Sequence, residues 1–405
     1  MFPHFKSFYN KALENKPFAI LSIVLILLFV AMYIVETTSN RFETNDFRVF
    51  YSACENYINS KPVYGESFGL STGYYKYSPT ILLFFTPFLL LPFSFASTLY
   101  YFGNIVLLLF LFNRVIKIST EHLLLTRTKS ILILLLLFLT FCGHFIRELH
   151  LGNTNILLLF LSFSLIETQA KQRYILAGLL FAFMIFTKPY FLILGLPFLL
   201  KKDYQSLMST FVWSIFLFVM TILAMGLQKG IDMHIQWINS ILAHSNYLTS
   251  NNTLTHSLNS FLKTQIPEIV GSIAYILISG VLFVFFNRQI KHFPDQKNKI
   301  FILYFFMLMG LFPNFFITDT EHFMFSFGLI GLLAFTIYEK KYSWQWIPYC
   351  ILVPFYLGEM NLFLPKEMAL QIKLFGGMGI ANFIFIIWSF LLSLHTLRRN
   401  KRVLL

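Results

Sequence analysis

Apolar runs of bilayer length, punctuated by small clusters of lysine and arginine, constrain this chain more than any other feature. Phe18 to Val35 is an 18-residue apolar run preceded by Lys6, Lys11 and Lys16. A helix rises about 1.5 Å per residue, so about 20 such residues cross a hydrocarbon core of about 30 Å. The run is longer than a signal-peptide core and no small-residue cleavage pattern follows it. It reads as an uncleaved first span with the N-terminus in the cytoplasm. Similar runs recur to the C-terminus. With 57% hydrophobic and only 12% charged residues, the expected fold class is an all-α polytopic membrane protein.

The cations fix the expected topology. The clusters are Lys6/Lys11/Lys16, Arg114/Lys117/Arg127/Lys129, Lys171/Arg173, Lys201/Lys202, Arg288/Lys291/Lys297/Lys299, Lys340/Lys341 and Arg398/Arg399/Lys401/Arg402, and they hold 21 of the 31 lysines and arginines. Placing them all in the cytoplasm gives spans at 17–36, 95–116, 130–146, 153–168, 174–187, 189–200, 206–226, 267–286, 299–316, 322–338, 344–358 and 370–396. That makes about twelve transmembrane helices with both termini cytoplasmic. The net charge of +13 is then a loop signal, and no nucleic-acid partner is expected. The run from Ser78 to Phe93 carries Pro79, Pro87 and Pro92, and counting it as a crossing would invert every later cluster. It is expected as a re-entrant or juxtamembrane helix on the external face, with a short full span as the alternative. Cys54, Cys142 and Cys350 are scattered and suggest neither a disulfide framework nor a metal site. Residues 1–405 read as a single integral-membrane domain, with 37–94 as its external catalytic loop.

Within that loop, Phe47, Phe50, Tyr51, Cys54, Tyr57 and Ile58 recur at helical spacing. Thr44 stands where an N-cap would, and Asp46 in the first turn. A short helix with one apolar face suits the membrane–water interface. Arg48 and Glu55 are expected on its solvated face. Asp46 has two readings, a general base for an acceptor hydroxyl or an acid favoured by the helix dipole.

Other polar groups cluster at the external ends of the apolar runs, where ionisable residues are costly and usually line a cavity. In Tyr74-Tyr75-Lys76-Tyr77-Ser78-Pro79, Lys76 could meet a phosphate while Tyr75 and Tyr77 stack on sugar faces. An interfacial aromatic belt is the alternative. Arg147-Glu148-Leu149-His150-Leu151-Gly152-Asn153-Thr154-Asn155 has more polar residues than a turn needs. Lys188 stands between apolar runs and needs a partner or a phosphate, unless it lies at an exposed turn. Asn251-Asn252-Thr253 opens an amide- and hydroxyl-rich stretch suited to a sugar or to an ordinary loop. Asp319-Thr320-Glu321-His322 opens a span, its acids readable as dipole-favoured caps and His322 as a donor to a phosphate oxygen. No P-loop, dinucleotide glycine pattern, zinc spacing or serine elbow is present. An activated donor would therefore be lipid-borne and met at the external face.

In order, the chain shows "KPVYG", "YYKYSPTILLFFTPFLLLPFSFASTLY", "LHLGNTNILLLFLSFSL", "AGLLFAFMIFTKPYFLILGLPFLLKKDY", "NNTLTHSLNSFL" and "TDTEHFMF". This set, over roughly Asn45 to Phe325, resembles glycosyltransferase family 87, the polyprenyl-phosphate-mannose-dependent mannosyltransferases of the GT-C superfamily. The resemblance matches Asp46 to the catalytic aspartate, and Tyr75, Tyr77 and Pro79 to Y-x-Y-x-P. It matches Lys188 to the family lysine and His322 to the late histidine. It departs at Asn153, which stands where the pattern G-Q-x-N has glutamine, and at the helix end "NSKPVYG".

The resemblance implies an inverting hexosyltransferase of GT-C-like fold that moves a sugar, mannose by the family pattern, from a polyprenyl phosphate to a glycan or glycolipid acceptor. It implies Asp46 as base and no metal or cofactor beyond the lipid-linked donor. Lys188, His322, Lys76 and Arg147 become the expected phosphate-binding residues. Tyr75, Tyr77, Glu148, Asn155, Asn252 and Glu321 become the expected sugar- or acceptor-binding residues. The expected location is a bacterial inner (plasma) membrane, with the site on the periplasmic side and membrane lipids as surroundings. A transporter or flippase of lipid-linked sugars is the alternative. It would use the same cavity without a base, but should show an internal repeat, and none is found.

Overall fold

The computed structural model describes residues 16–69, 73–121, 131–243, 251–316, 320–339, 343–357 and 364–403. Among them it is all-helical, the only extended pairing being an isolated bridge between Ser67 and Tyr74. The α-helices in chain order are α1 (Lys16–Thr38), α2 (Asn45–Ile58), α3 (Pro79–Phe85), α4 (Phe93–Glu121), α5 (Ile131–Leu151), α6 (Asn155–Ala170), α7 (Tyr174–Thr187), α8 (Gly195–Lys201) and α9 (Tyr204–Met225). They continue as α10 (Leu227–Ala243), α11 (Leu254–Leu262), α12 (Glu268–His292), α13 (Lys297–Phe315), α14 (Phe327–Glu339), α15 (Trp346–Leu357), α16 (Lys366–Phe375) and α17 (Gly377–Val403). Tight 3-10 turns at Thr86–Leu90, Pro189–Leu194 and Thr320–Ser326 join some of them.

Each of the twelve apolar runs is helical, and the helices differ in length. Seven helical stretches among the described residues are long and apolar enough to span: Phe18–Thr38, Phe93–Ile118, Tyr204–Met225, Glu268–His292, Pro294–Phe315, Thr320–Tyr338 and Gly377–His395. An eighth arises only if the pair Leu135–Leu151 and Asn155–Ala170, bent by 119°, is one broken span. A bend beyond a right angle sends α6 back toward the side α5 came from. Length explains the rest: α7 has 14 residues, about 21 Å of helix against a core of about 30 Å. Pro189–Lys201 and Trp346–Tyr356 fall short in the same way. Pro79–Leu90 is also a short apolar helix, and it packs against α2. Lys6, Lys11, Arg127, Lys129, Lys340, Lys341 and Asp319 lie outside the described residues.

Burial sorts the helices into layers. The Pro294–Phe315 stretch is 89% buried and Thr320–Tyr338 83%, so these form the centre. Phe18–Thr38 and Glu268–His292 are each 22% buried and Tyr204–Met225 17%, so these face outward as lipid-exposed helices. Polar groups knot the centre. Asn382 donates to the Gly310 carbonyl (2.8 Å) and Asn314 to the Gly379 carbonyl (2.6 Å), fixing α17 against α13 around Pro313. A buried polar group must be bonded, and each of these is.

The two ends of the bundle differ in chemistry. At one end Arg114, Lys117 and Lys171 converge on Glu167, with Lys117 at 2.5 Å and Lys171 at 2.6 Å. Lys201 bonds Gln169 there (2.9 Å). Four cations from three sequence-distant segments thus meet at one end. The opposite end, where α6 begins, gathers acids, amides, tyrosines, Lys188 and a histidine.

A second apolar cluster stands at that end. Phe50 stacks on Phe85 (4.4 Å), Phe47 stacks on Tyr100 (4.8 Å), and the Cys54 thiol donates to the Leu82 carbonyl (3.3 Å). The expected apolar face of α2 is mostly observed, since Phe47, Phe50 and Cys54 are buried, although Ile58 at its end is exposed. Arg48 and Glu55 are exposed as expected, the Arg48 guanidinium lying over the Phe93 ring. Thr44 does not cap with its side chain. Its backbone is left-handed (φ 40°), and it joins the first turn through its carbonyl, which accepts from Arg48 N.

Candidate active site

Gly152 sets the geometry. It ends α5 with φ +70°, and its N–H bonds the Glu148 carbonyl (2.9 Å). A Cβ at this position would lie 2.9 Å from the Phe47 Cβ. Only glycine combines the left-handed turn with so close an approach, and that approach seats the first turn of α2 on the α5–α6 turn. Asp46 then meets Asn153: the amide Nδ2 donates to Asp46 Oδ2 at 2.6 Å. The Tyr77 hydroxyl donates to Asn153 Oδ1 (3.0 Å), and the Tyr100 hydroxyl donates to the Asn153 carbonyl (2.9 Å). Burial pushes the Tyr77 phenol well above its usual range, and the Asp46 carboxylate adds to the effect, so Tyr77 stays a donor.

Two residues further, Asn155 organises the cationic part. Glu148 is fully buried and accepts from the Asn155 N–H (2.5 Å) and Nδ2 (2.9 Å). Asn155 Oδ1 accepts from Lys188 Nζ at 2.6 Å. Lys188 Nζ also donates to His322 Nε2 at 2.9 Å. Lys188 is held here by its own sequence. Pro189 ends α7, the residue before a proline adopts an extended backbone, and Lys188 does so at φ −142° and ψ 105°. Asp46, Glu321 and Lys188 all lie within electrostatic range of Glu148.

The Thr320–Ser326 turn is pinned from α5. Arg147 Nε donates to Glu321 Oε2 (2.8 Å). His144, one turn earlier on the same face, lies 3.0 Å from the carbonyl oxygens of both Thr320 and Tyr356. The Glu321 carboxylate is buried, whereas the Arg147 side chain is 52% exposed and reaches outward.

Of the residues singled out in the sequence, Asp46, Tyr77, Arg147, Glu148, Asn155, Lys188, Glu321 and His322 come together at this end. Lys76 lies half-buried beside Tyr77, its carbonyl accepting from Trp237 Nε1 (3.2 Å). One expected sugar ligand is placed differently. Tyr75 is fully buried with its hydroxyl donating to the Ser78 carbonyl (3.1 Å), so its ring packs and has no face open to a sugar. The backbone of Asn252, a half-buried residue, packs so closely on Gly379 at the start of α17 that a side chain there would meet its carbonyl. The neighbouring Thr253 caps α11 by accepting from His256 N (3.1 Å). Asn153, Tyr100 and His144 carry structure that the sequence reading did not assign to them. For His144 the signal was present: His144, Arg147 and Glu148 share one helical face of an otherwise apolar run. Among the described residues, no three His, Cys, Asp or Glu side chains gather where they could hold a metal.

The arrangement joins a hydrogen-bonded carboxylate to a lysine–imidazole pair across one short turn. A carboxylate can accept a proton, and the pair can meet an anion. The family model of glycosyltransferase family 87 matches residues 75–312, more than half of the chain. No curated protein and no solved structure was found to match.

Proposed function

Because this chain belongs to glycosyltransferase family 87, we propose that it transfers a hexose, mannose first among the candidates, from a polyprenyl-phosphate sugar to a glycan or glycolipid acceptor. Asp46 removes the acceptor hydroxyl proton as the oxygen attacks the anomeric carbon. The new C–O bond forms as the bond to the phosphate oxygen breaks, and polyprenyl phosphate leaves. Attack opposite the leaving group inverts the anomeric centre. Negative charge then grows on the phosphate, and Lys188, with His322 beside it, is the group that meets it. Arg147, exposed at the rim, and Lys76 assist. The reaction takes place at the periplasmic face of a bacterial inner membrane; this reading is supported by Arg114, Lys117, Lys171 and Lys201, cations that favour the cytoplasm, at the opposite end of the bundle.

One observation carries this reading: Asn153 bonds Asp46 and Asn155 bonds Lys188. The base and the phosphate ligand are thereby tied to one turn. The test is Lys188→Met, with binding of polyprenyl phosphate measured on purified protein. Loss of one charge-assisted hydrogen bond should weaken binding by about 10- to 100-fold. Wild-type affinity in a folded variant would remove Lys188 from the donor site.

A further inference from the structure

The Asn153 amide has one orientation that satisfies its neighbours. Its Oδ1 lies 2.6 Å from the backbone N–H of Thr154 and 3.0 Å from the Tyr77 hydroxyl. A backbone N–H can only donate, so the amide atom facing it is the oxygen. The NH2 group is thereby turned onto Asp46 Oδ2 at 2.6 Å. The frame around the amide is fixed. The Asn153 carbonyl takes the Tyr100 hydroxyl at 2.9 Å, and the residue is 7% exposed. The Tyr77 ring is wedged between Phe50 (4.7 Å) and Tyr75 (5.8 Å). Asn155, two residues on, is committed to Lys188 and Glu148.

We propose that Asn153 is the positioning residue of Asp46: its NH2 group fixes the rotation of the carboxylate and favours its charged form, while Tyr77 and Thr154 fix Asn153 itself. This rests on the reading of Asp46 as the base. A base must sit within hydrogen-bond reach of the proton it takes, and a short side chain at a helix start reaches it only in some rotamers. A donor to one carboxylate oxygen removes that freedom before the acceptor arrives. The role predicts a split between kinetic constants. Asn153 acts on the proton transfer and hence on kcat, whereas donor binding depends on Lys188 and Asn155.

The experiment uses the purified full-length protein, total lipid extract as acceptor, and the polyprenyl-phosphate hexose that the wild-type protein consumes, mannose being tried first. Asn153→Asp keeps the size and the acceptor for Tyr77 and Thr154 but replaces the donor to Asp46 with an oxygen. It should lower kcat by about 10- to 100-fold, the worth of one hydrogen bond to a charged group, with donor KM unchanged. In an Asp46→Asn background the same substitution should cost nothing further, because residues acting through one another are not additive. A wild-type kcat for Asn153→Asp overturns the proposal. So does a loss that recurs in the Asp46→Asn background, which would mark a merely structural role. If Asn153→Asp does not fold, Tyr77→Phe tests the same frame: it should lower kcat at unchanged donor KM, and a wild-type kcat overturns the proposal. Normal transfer by Asp46→Asn would instead defeat the assignment of the base, a separate outcome.

Discussion

Gly152→Ala probes the contact on which the candidate site is built. Two costs follow from the structure. The φ of +70° places a non-glycine residue in the left-handed region, at about 1–2 kcal/mol. The new Cβ would lie 2.9 Å from the Phe47 Cβ, an atom next to the backbone that cannot swing aside. Overpacking of this kind costs about 1–3 kcal/mol. Together the loss is about 2–5 kcal/mol, and relief requires α2 to move off the α5–α6 turn. Phe47 is the neighbour of Asp46, so the carboxylate moves with it. A misplacement of about 1 Å can cost about 10²-fold in rate. Gly65→Ala is the internal control, since its φ is +83° but nothing lies within 4 Å of the added carbon. It should lose only the conformational cost, about 1–2 kcal/mol, and transfer normally. Thermal unfolding in detergent and sugar transfer, measured on both variants, decide the matter. If Gly152→Ala melts with Gly65→Ala and transfers at the wild-type rate, Gly152 does not set the position of Asp46.

Two further outcomes are expected. Cys54 is buried, and burial pushes its thiol up to about 12, so the reactive thiolate is scarce near neutral pH. It should resist maleimide in the folded protein and label on denaturation, and rapid labelling of the native protein would contradict the packing of α2 on α3. In a background without the native cysteines, Glu121→Cys should label from the cytoplasmic side. Labelling from the external side would reverse the assignment of the two faces.

The helices were legible in the sequence because apolar runs and cationic clusters are local signals. The breaks between the shorter runs were not. Whether a run such as 174–187 spans depends on its length and on the break at Lys188-Pro189, and periodicity reports neither. Residue type marked much of the candidate site, since an acid, an amide or a lysine at the edge of an apolar run is costly unless paired. Depth was not legible. Tyr75 and Tyr77 are two residues apart in one aromatic segment, yet Tyr75 is spent on Ser78 and Tyr77 reaches Asn153. The path of the loop separates them, and composition does not report it. Thr253 illustrates the converse, a hydroxyl that looks apt for a sugar and caps α11. The bonds of Asn153, Tyr100 and His144 cross between segments far apart in the chain, which no local pattern announces.

The central claim is that Asp46 takes the acceptor proton, and Asp46→Asn tests it most directly. The substitution keeps the size of the side chain but removes the base. Removing a general base costs about 10²–10⁴ in rate, whereas losing a first-turn dipole interaction costs about 0.3–1 kcal/mol of stability. The measurement is transfer and donor binding on the same purified Asp46→Asn protein. The account predicts a folded variant that binds polyprenyl-phosphate sugar as the wild type does and hardly transfers it. Near-normal transfer with slightly lower thermal stability would contradict it and leave Asp46 as a helix-start residue.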